Sequence, residues 1–357
     1  MIKNILDDLD RIKQLDKSSM VKLLADFPSQ CEDAIRIAES FQLPKGHEKA
    51  SKILFTGLGG SAIGADLARA YLIDEIKVPV FVNRDYTLPA FVDQDTLVFV
   101  SSYSGETEET LSAYENAAKK TSKIICVSTG GKLGEIAKAR NIPLVTIPKN
   151  FPPRTALGYS FFVPLVLLVK MGFISDKAAD MKETVKVLIE LRDKELSLEV
   201  KAENNPAKKI ALKLFDKFTV IYGASRNIDS VVVRWRGQLA ENSKALASSH
   251  VLPEMNHNEI VGWEFPKDIL KKFAVILLRD KGEHPRVAVR MRITKEILRK
   301  TAGEVLEVDS KGDSLLARMF SLIYIGDFVS FYLAVLYGID PTPVERITYL
   351  KKELAKA

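Results

Sequence analysis

The sequence predicts an α/β protein of two domains, each a parallel sheet flanked by helices, with helical N-terminal and C-terminal segments. Three observations predict it. The chain has 357 residues, more than one ordinary core holds and suited to two of about 150. From about residue 50, short apolar runs alternate with helical stretches, as strands covered on both faces do. A second series of the same kind starts at Phe218. The pattern divides the chain into a helical cover at 1–48, a first domain at 49–203 and a second, with the C-terminal helix, at 204–357.

In the first 48 residues Ile2, Ile5, Leu6 and Leu9 recur at helical spacing. Ser18 and Ser19 offer a cap for the next helix, whose apolar face is Met20, Leu23, Leu24 and Phe27. Strands then read at 53–57, 78–82, 97–101, 123–127 and 144–147. Residues 154–214 read mostly as helix, broken at Asn204-Asn205-Pro206, where the join between domains is expected. The second series has strands at 218–223, 273–278 and 304–308. A long helix after Asp313 and a final helix from about Pro343 to Ala355 end the chain.

Lys and Arg number 52 against 46 Asp and Glu, a net charge of +6 spread without a basic block. That argues against a nucleic-acid arm and suits anionic small molecules. Cys31 and Cys126 stand far apart with no metal-ligand spacing, which fits free thiols in a reducing cytoplasm. The N-terminus carries no apolar signal stretch. The run Phe161–Val169 is too short to span a bilayer, and Phe320–Tyr337 carries Asp327 and several polar residues. Both read as buried helices, with no membrane partner.

Two loops carry the chemistry. Gly57-Leu58-Gly59-Gly60-Ser61-Ala62-Ile63-Gly64 joins a strand to a helix, where free N–H groups and the helix dipole favour an anion. Gly57, Gly59 and Ala62 also fit a dinucleotide fingerprint, with Asp85 in the place of its acidic residue. The second loop, Ser101-Ser102-Tyr103-Ser104-Gly105-Glu106-Thr107, groups three hydroxyls around a glycine. Clustered O–H and N–H donors suit a phosphate monoester, and a dinucleotide site does not need them. Gly59, Gly60, Ser61, Ser102, Ser104 and Thr107 are the candidate phosphate ligands. The alternative is that Ser104 only caps a helix whose start Glu106, Glu108 and Glu109 favour. A phosphate site requires those glutamates to face away from it.

Gly59-Gly60-Ser61 followed by Ser102-Tyr103-Ser104-Gly105-Glu106-Thr107 resembles the sugar-phosphate signature of SIS (sugar isomerase) domains. The likeness continues through Pro153-Arg154-Thr155-Ala156-Leu157-Gly158-Tyr159, Glu241-Asn242, Asn256-His257-Asn258-Glu259 and the tail around 341–351, nearly the whole chain. These segments are similar to the bifunctional phosphoglucose/phosphomannose isomerases of the phosphoglucose isomerase superfamily. The resemblance implies two SIS-type domains, a homodimer, and aldose–ketose isomerisation of glucose 6-phosphate and mannose 6-phosphate to fructose 6-phosphate. It implies no metal and no nucleotide cofactor.

The resemblance also assigns catalytic roles. Glu241 becomes the base that carries a proton between C1 and C2, a task a carboxylate performs when its surroundings suit. Its other reading is an ordinary glutamate near Arg234 and Arg236. His257 becomes a ring-opening group contributed across the dimer; otherwise it is a capping or exposed histidine. Arg154 becomes the cation that steadies the enediolate, or else a phosphate ligand or ion-pair partner. Lys351 becomes a ring-opening lysine, with Lys352 beside it as the rival, or else a solvated helix lysine.

Three other functions compete. A non-catalytic SIS-type sugar-phosphate regulator would keep the hydroxyl loops without needing Glu241, His257 and Lys351. Such proteins commonly add a helix-turn-helix, which the short acidic 1–48 segment does not suit. A nicotinamide-dependent dehydrogenase would use the first glycine loop. The isomerase half of a glucosamine 6-phosphate-forming amidotransferase would need a cysteine-nucleophile domain, and the sequence holds none.

Overall fold

Strong apolar runs produce most of the strands where the pattern places them. The computed structural model describes residues 5–354 and 356; Ile2 and Ala355, both assigned to helices above, lie outside them. In chain order come α1 (Leu9–Leu15), α2 (Met20–Ala25), α3 (Phe27–Ser40), β1 (Lys52–Thr56), α4 (Gly59–Leu72), β2 (Val80–Asn83) and β3 (Thr96–Ser101). Then follow α5 (Glu108–Ala118), β4 (Ile124–Ser128), α6 (Gly131–Ala139), β5 (Leu144–Thr146), α7 (Leu157–Lys170) and α8 (Ala178–Leu191). The cap of α2 is Asp16, not the serines. Its two carboxylate oxygens accept from Met20 N at 2.7 Å and Val21 N at 2.9 Å, while Ser19 takes a left-handed turn with φ 55°.

The chain packs as two units, one of Asp26–Lys186 with Asp313–Ala317, the other of Val187–Gly312 with the residues up to Ala25 and from Arg318 onward. In the first unit five strands form a wholly parallel sheet in the order β2-β1-β3-β4-β5. The chain steps from β1 outward to β2, then returns to the far side of β1 as β3. Strand order therefore reverses between β1 and β3, the place where open α/β sheets bind ligands at their carboxyl ends. Leu54, Val98, Val100, Tyr114 and Cys126 fill the core on one face. Helix α7 is buried along nearly its whole length and packs on α3 and α4.

The second unit holds α9 (Pro206–Leu214), β6 (Phe218–Ala224), α10 (Asp229–Asn242), β7 (Ala247–Leu252), α11 (Lys267–Leu270), β8 (Phe273–Arg279), α12 (Pro285–Leu298), β9 (Glu304–Asp309), most of α13 (Leu315–Leu336), and α14 (Glu345–Leu354). Its four parallel strands run β7-β6-β8-β9. The apolar-run pattern passes over β7. Ser248, Ser249 and His250 interrupt its hydrophobicity, which an edge strand half in contact with water tolerates. Asn205, expected at a join between domains, is fully buried and caps α9 by accepting from Lys208 N at 3.0 Å.

Helix α13 is long and apolar enough to cross a membrane by length and composition, and its most apolar window is wholly buried. One face of α10 is bonded along it. Trp235 Nε1 donates to Leu322 O at 2.9 Å, Arg234 pairs with Asp327 at 3.0 Å, and Asn242 Nδ2 donates to Ser330 Oγ at 2.9 Å. Ser243 Oγ adds a bond to Ser330 O at 2.7 Å. The helix that presents Glu241 thus lies on a rigid apolar support.

Candidate active site

The two loops emerge side by side. Register aligns Thr56 with Val100 across β1 and β3, so residues 57–61 and 102–107 leave neighbouring strand ends at the switch point. Helix α4 begins after Leu58 and α5 after Thr107, and neither cap residue supplies a side-chain bond to the first turn. Amide groups at both starts are left for another acceptor.

Glycine is required here at two points. A Cβ on Gly60 would lie 2.4 Å from Pro153 O. Gly105 has φ 76°, and a Cβ there would lie 1.9 Å from Gly130 O. Both loops therefore press against neighbouring backbone that only glycine admits.

Ser102 shapes its loop from within. It is 1% exposed, donates to Thr107 Oγ1 at 3.0 Å, and accepts from Gly105 N at 3.1 Å. Ser104 is exposed, and its Oγ accepts from Glu106 N at 3.2 Å, a local turn rather than a helix cap. The Glu106 carboxylate accepts from Lys132 N at 2.8 Å, at the start of α6. That bond engages it with the next helix. Gly60 and Ser61 border a small, partly open cavity of about 10 Å³, with Ser101, Tyr103 and Pro153 among its walls. It is the size of a single water.

Arg154 is 3% exposed, on the 3₁₀ turn Pro153–Thr155. Two residues that were given no role above hold this turn and the stretch leading into it: Tyr103, inside the second loop, and Gln30, which lies in no motif. Tyr103 OH donates to Pro148 O at 3.0 Å and accepts from Phe151 N at 2.9 Å, and burial raises its pKa. Gln30, from α3, donates to Thr155 O and accepts from Gly158 N, each at 2.8 Å. Both are ordinary residue types whose role appears only once distant segments meet.

In the second unit Glu241 sits half-buried in the last turn of α10. Of the arginines near it in sequence, Arg234 pairs with buried Asp327 and Arg236 donates to Ser249 Oγ at 3.2 Å. Beside Glu241 opens a groove of about 580 Å³, bordered also by Lys244, Asp340, Val344 and Arg346. His257 ends the 3₁₀ turn Glu254–His257 with its ring exposed. The turn is anchored underneath. Asn256 Nδ2 donates to Thr294 Oγ1 at 2.9 Å, Trp263 Nε1 donates to Tyr222 OH at 2.8 Å, and Tyr222 donates to the Glu259 carboxylate. Burial first, and then the Glu259 carboxylate, pushes the Tyr222 pKa up. Lys351 and Lys352 are both exposed on α14, which buries none of its residues.

The loop pair thus comes together within the first unit, and Glu241, His257 and Lys351 stand on three separate elements of the second. Residues 48–169 match the family described as "SIS domain", and residues 203–354 that described as "Bacterial phospho-glucose isomerase C-terminal SIS domain". Fold and matches define a protein of two SIS domains, the class of sugar isomerases. Over 337 residues the chain is 49% identical to a "Bifunctional phosphoglucose/phosphomannose isomerase" of Caldicellulosiruptor bescii, covering 94% of this chain and 99% of that one. It is 39% identical to the protein of the same name from Aquifex aeolicus, covering 91% and 99%. The chain belongs to the family of bifunctional phosphoglucose/phosphomannose isomerases and is an isomerase. A glucose-6-phosphate isomerase-like protein from Thermus thermophilus shares the fold, with a TM-score of 0.64, 20% identity and coverage of 95% and 98%.

Proposed function

We propose that the protein interconverts glucose 6-phosphate and mannose 6-phosphate with fructose 6-phosphate by proton transfer through a cis-enediol. The observation that carries this is the pair of hydroxyl-rich loops flanking the β1/β3 switch point, in a chain of this family. Ser61, Ser102, Ser104 and Thr107, with the amides around Gly59 and Gly60, hold the phosphate. Ser102 also keeps Thr107 and Gly105 in place before the ligand arrives. A regulator would have no use for the rest of the set, and the family is one of enzymes.

The remaining residues divide the chemistry. Lys351 and His257 open the ring by moving a proton between its oxygen and solvent. Glu241 takes the C2 proton and returns it to C1. The negative charge that forms on the enediolate oxygens faces the Arg154 guanidinium, which cannot lose its proton to the reaction. Glucose and mannose 6-phosphates differ only at C2 and share one enediol, so rotation about C2–C3 before reprotonation admits both.

His257 comes from the partner in a homodimer, in this proposal. The two halves, 49–203 and 204–357, divide the labour between phosphate grip and proton transfer, and the enzyme is cytoplasmic. Glu241→Gln is expected to lower isomerisation by about 10²- to 10⁴-fold while sugar-phosphate binding survives, read in a coupled assay and by calorimetry. His257→Asn should also be impaired. Mixing and refolding the two inactive variants should restore activity, because mixed dimers contain one intact set. Full activity in Glu241→Gln would defeat the proposal, and failure of the mixture would defeat the shared site.

A further inference from the structure

Helix α10 ends in a way its sequence makes costly. Ser243 is still helical, and Lys244 then turns left-handed with φ 54°. Ala245 N closes back on Leu239 O at 3.2 Å. This closure over residues 239–245, around a left-handed residue, is a helix stop at which glycine is ordinarily found, because a Cβ is disfavoured there. A lysine in that position calls for a reason in its side chain.

The side chain supplies one. Lys244 Nζ donates to Glu241 O at 3.0 Å and lies 3.3 Å from Asn242 O, two carbonyls at the end of the helix, where the intrahelical ladder runs out. It also reaches Asp340 O at 3.1 Å and Pro341 O at 2.8 Å. Four carbonyls thus converge on one ammonium. Two belong to the turn that presents Glu241 and two to the segment from which α14, with Lys351, departs. Asp340 Oδ1 accepts from Thr342 N at 2.9 Å and stiffens that second segment.

We infer that Lys244 is a positioning residue: its ammonium locks the Glu241 end of α10 to the Asp340–Pro341 turn and so fixes the approach of the catalytic carboxylate. The inference rests on the reading of Glu241 as the base. All four of these oxygens are main-chain carbonyls, so what the ammonium holds is backbone geometry. Misplacing a catalytic group by about 1 Å costs on the order of 100-fold in rate.

Lys244→Gly separates this role from simple capping, because glycine suits the left-handed backbone better than lysine. Its melting temperature should equal or exceed that of the parent. Its kcat on fructose 6-phosphate should fall roughly 10- to 100-fold with little change in KM. Ethylammonium or propylammonium ions should restore part of that kcat by filling the carbonyl cage, and tetramethylammonium, which has no N–H, should not. Lys244→Met, which keeps the stem and loses the donors, should show the same kcat loss. Parental kcat in Lys244→Gly or Lys244→Met overturns the inference, as does a loss that follows a fall in melting temperature. If Glu241→Gln is dead and Lys244→Gly is fully active, only the positioning role fails. If Glu241→Gln is active, the base assignment fails first.

Discussion

At the scale of single residues, a few glycines resist replacement because backbone lies where a side chain would go. Gly105 combines a positive φ with the Gly130 carbonyl at 1.9 Å from any Cβ. Gly105→Ala should destabilise the protein by about 1 kcal/mol or more and raise KM for sugar phosphates more than it lowers kcat, since the displaced loop carries Ser104 and Thr107. Steady-state kinetics beside thermal unfolding check this. His47 gives a second prediction. It is 7% exposed, its Nδ1 has no partner among the described residues, and burial lowers its pKa below the ordinary value near 6.5. The unfolded chain then binds more protons than the folded one below about pH 6.5, so stability falls as pH drops through that range. His47→Gln should flatten the fall, measured as melting temperature between pH 7 and pH 5.

At the scale of elements, the contact of α10 with α13 decides whether Glu241 has a fixed address. Arg234 and Asp327 are both about 4–5% exposed, so removing one leaves the other charge buried. Asp327→Ala should cost about 3–5 kcal/mol, visible as a lower denaturant midpoint. Strands and helices of this kind were legible where hydrophobicity was continuous: β1, β3, β4, β6 and β8 are all apolar runs, and α7 and α13 announce burial by composition. Strand β7 was not, because its polar residues face half-wet surroundings on a sheet edge. The stop of α10 was not legible either, since no sequence rule puts a left-handed lysine where glycine is expected. Asp16 and Gln30 act through partners supplied by folding, and nothing in their neighbours along the chain marks them; Tyr103 lies within the second loop, but its bonds to Pro148 and Phe151 appear only in the folded chain.

At the scale of the whole molecule, two parallel sheets repeat one architecture while keeping different loops, and only the first carries the glycine- and serine-rich turns. That asymmetry was readable from two short motifs, whose glycines and hydroxyls are the direct requirement of an anion held against backbone amides. Glu241, His257 and Lys351 announce nothing by residue type, and resemblance alone singled them out. The long apolar helix α13 has a further consequence for how the protein is made. As an isolated segment it has the length and composition of a membrane span. Its bonded partner α10 precedes it in the chain, so Arg234, Trp235 and Asn242 have left the ribosome before Asp327 emerges. Synthesis therefore delivers the greasy segment to a waiting polar clasp, shortening the interval in which a nascent chain exposes it to chaperones or to insertion machinery.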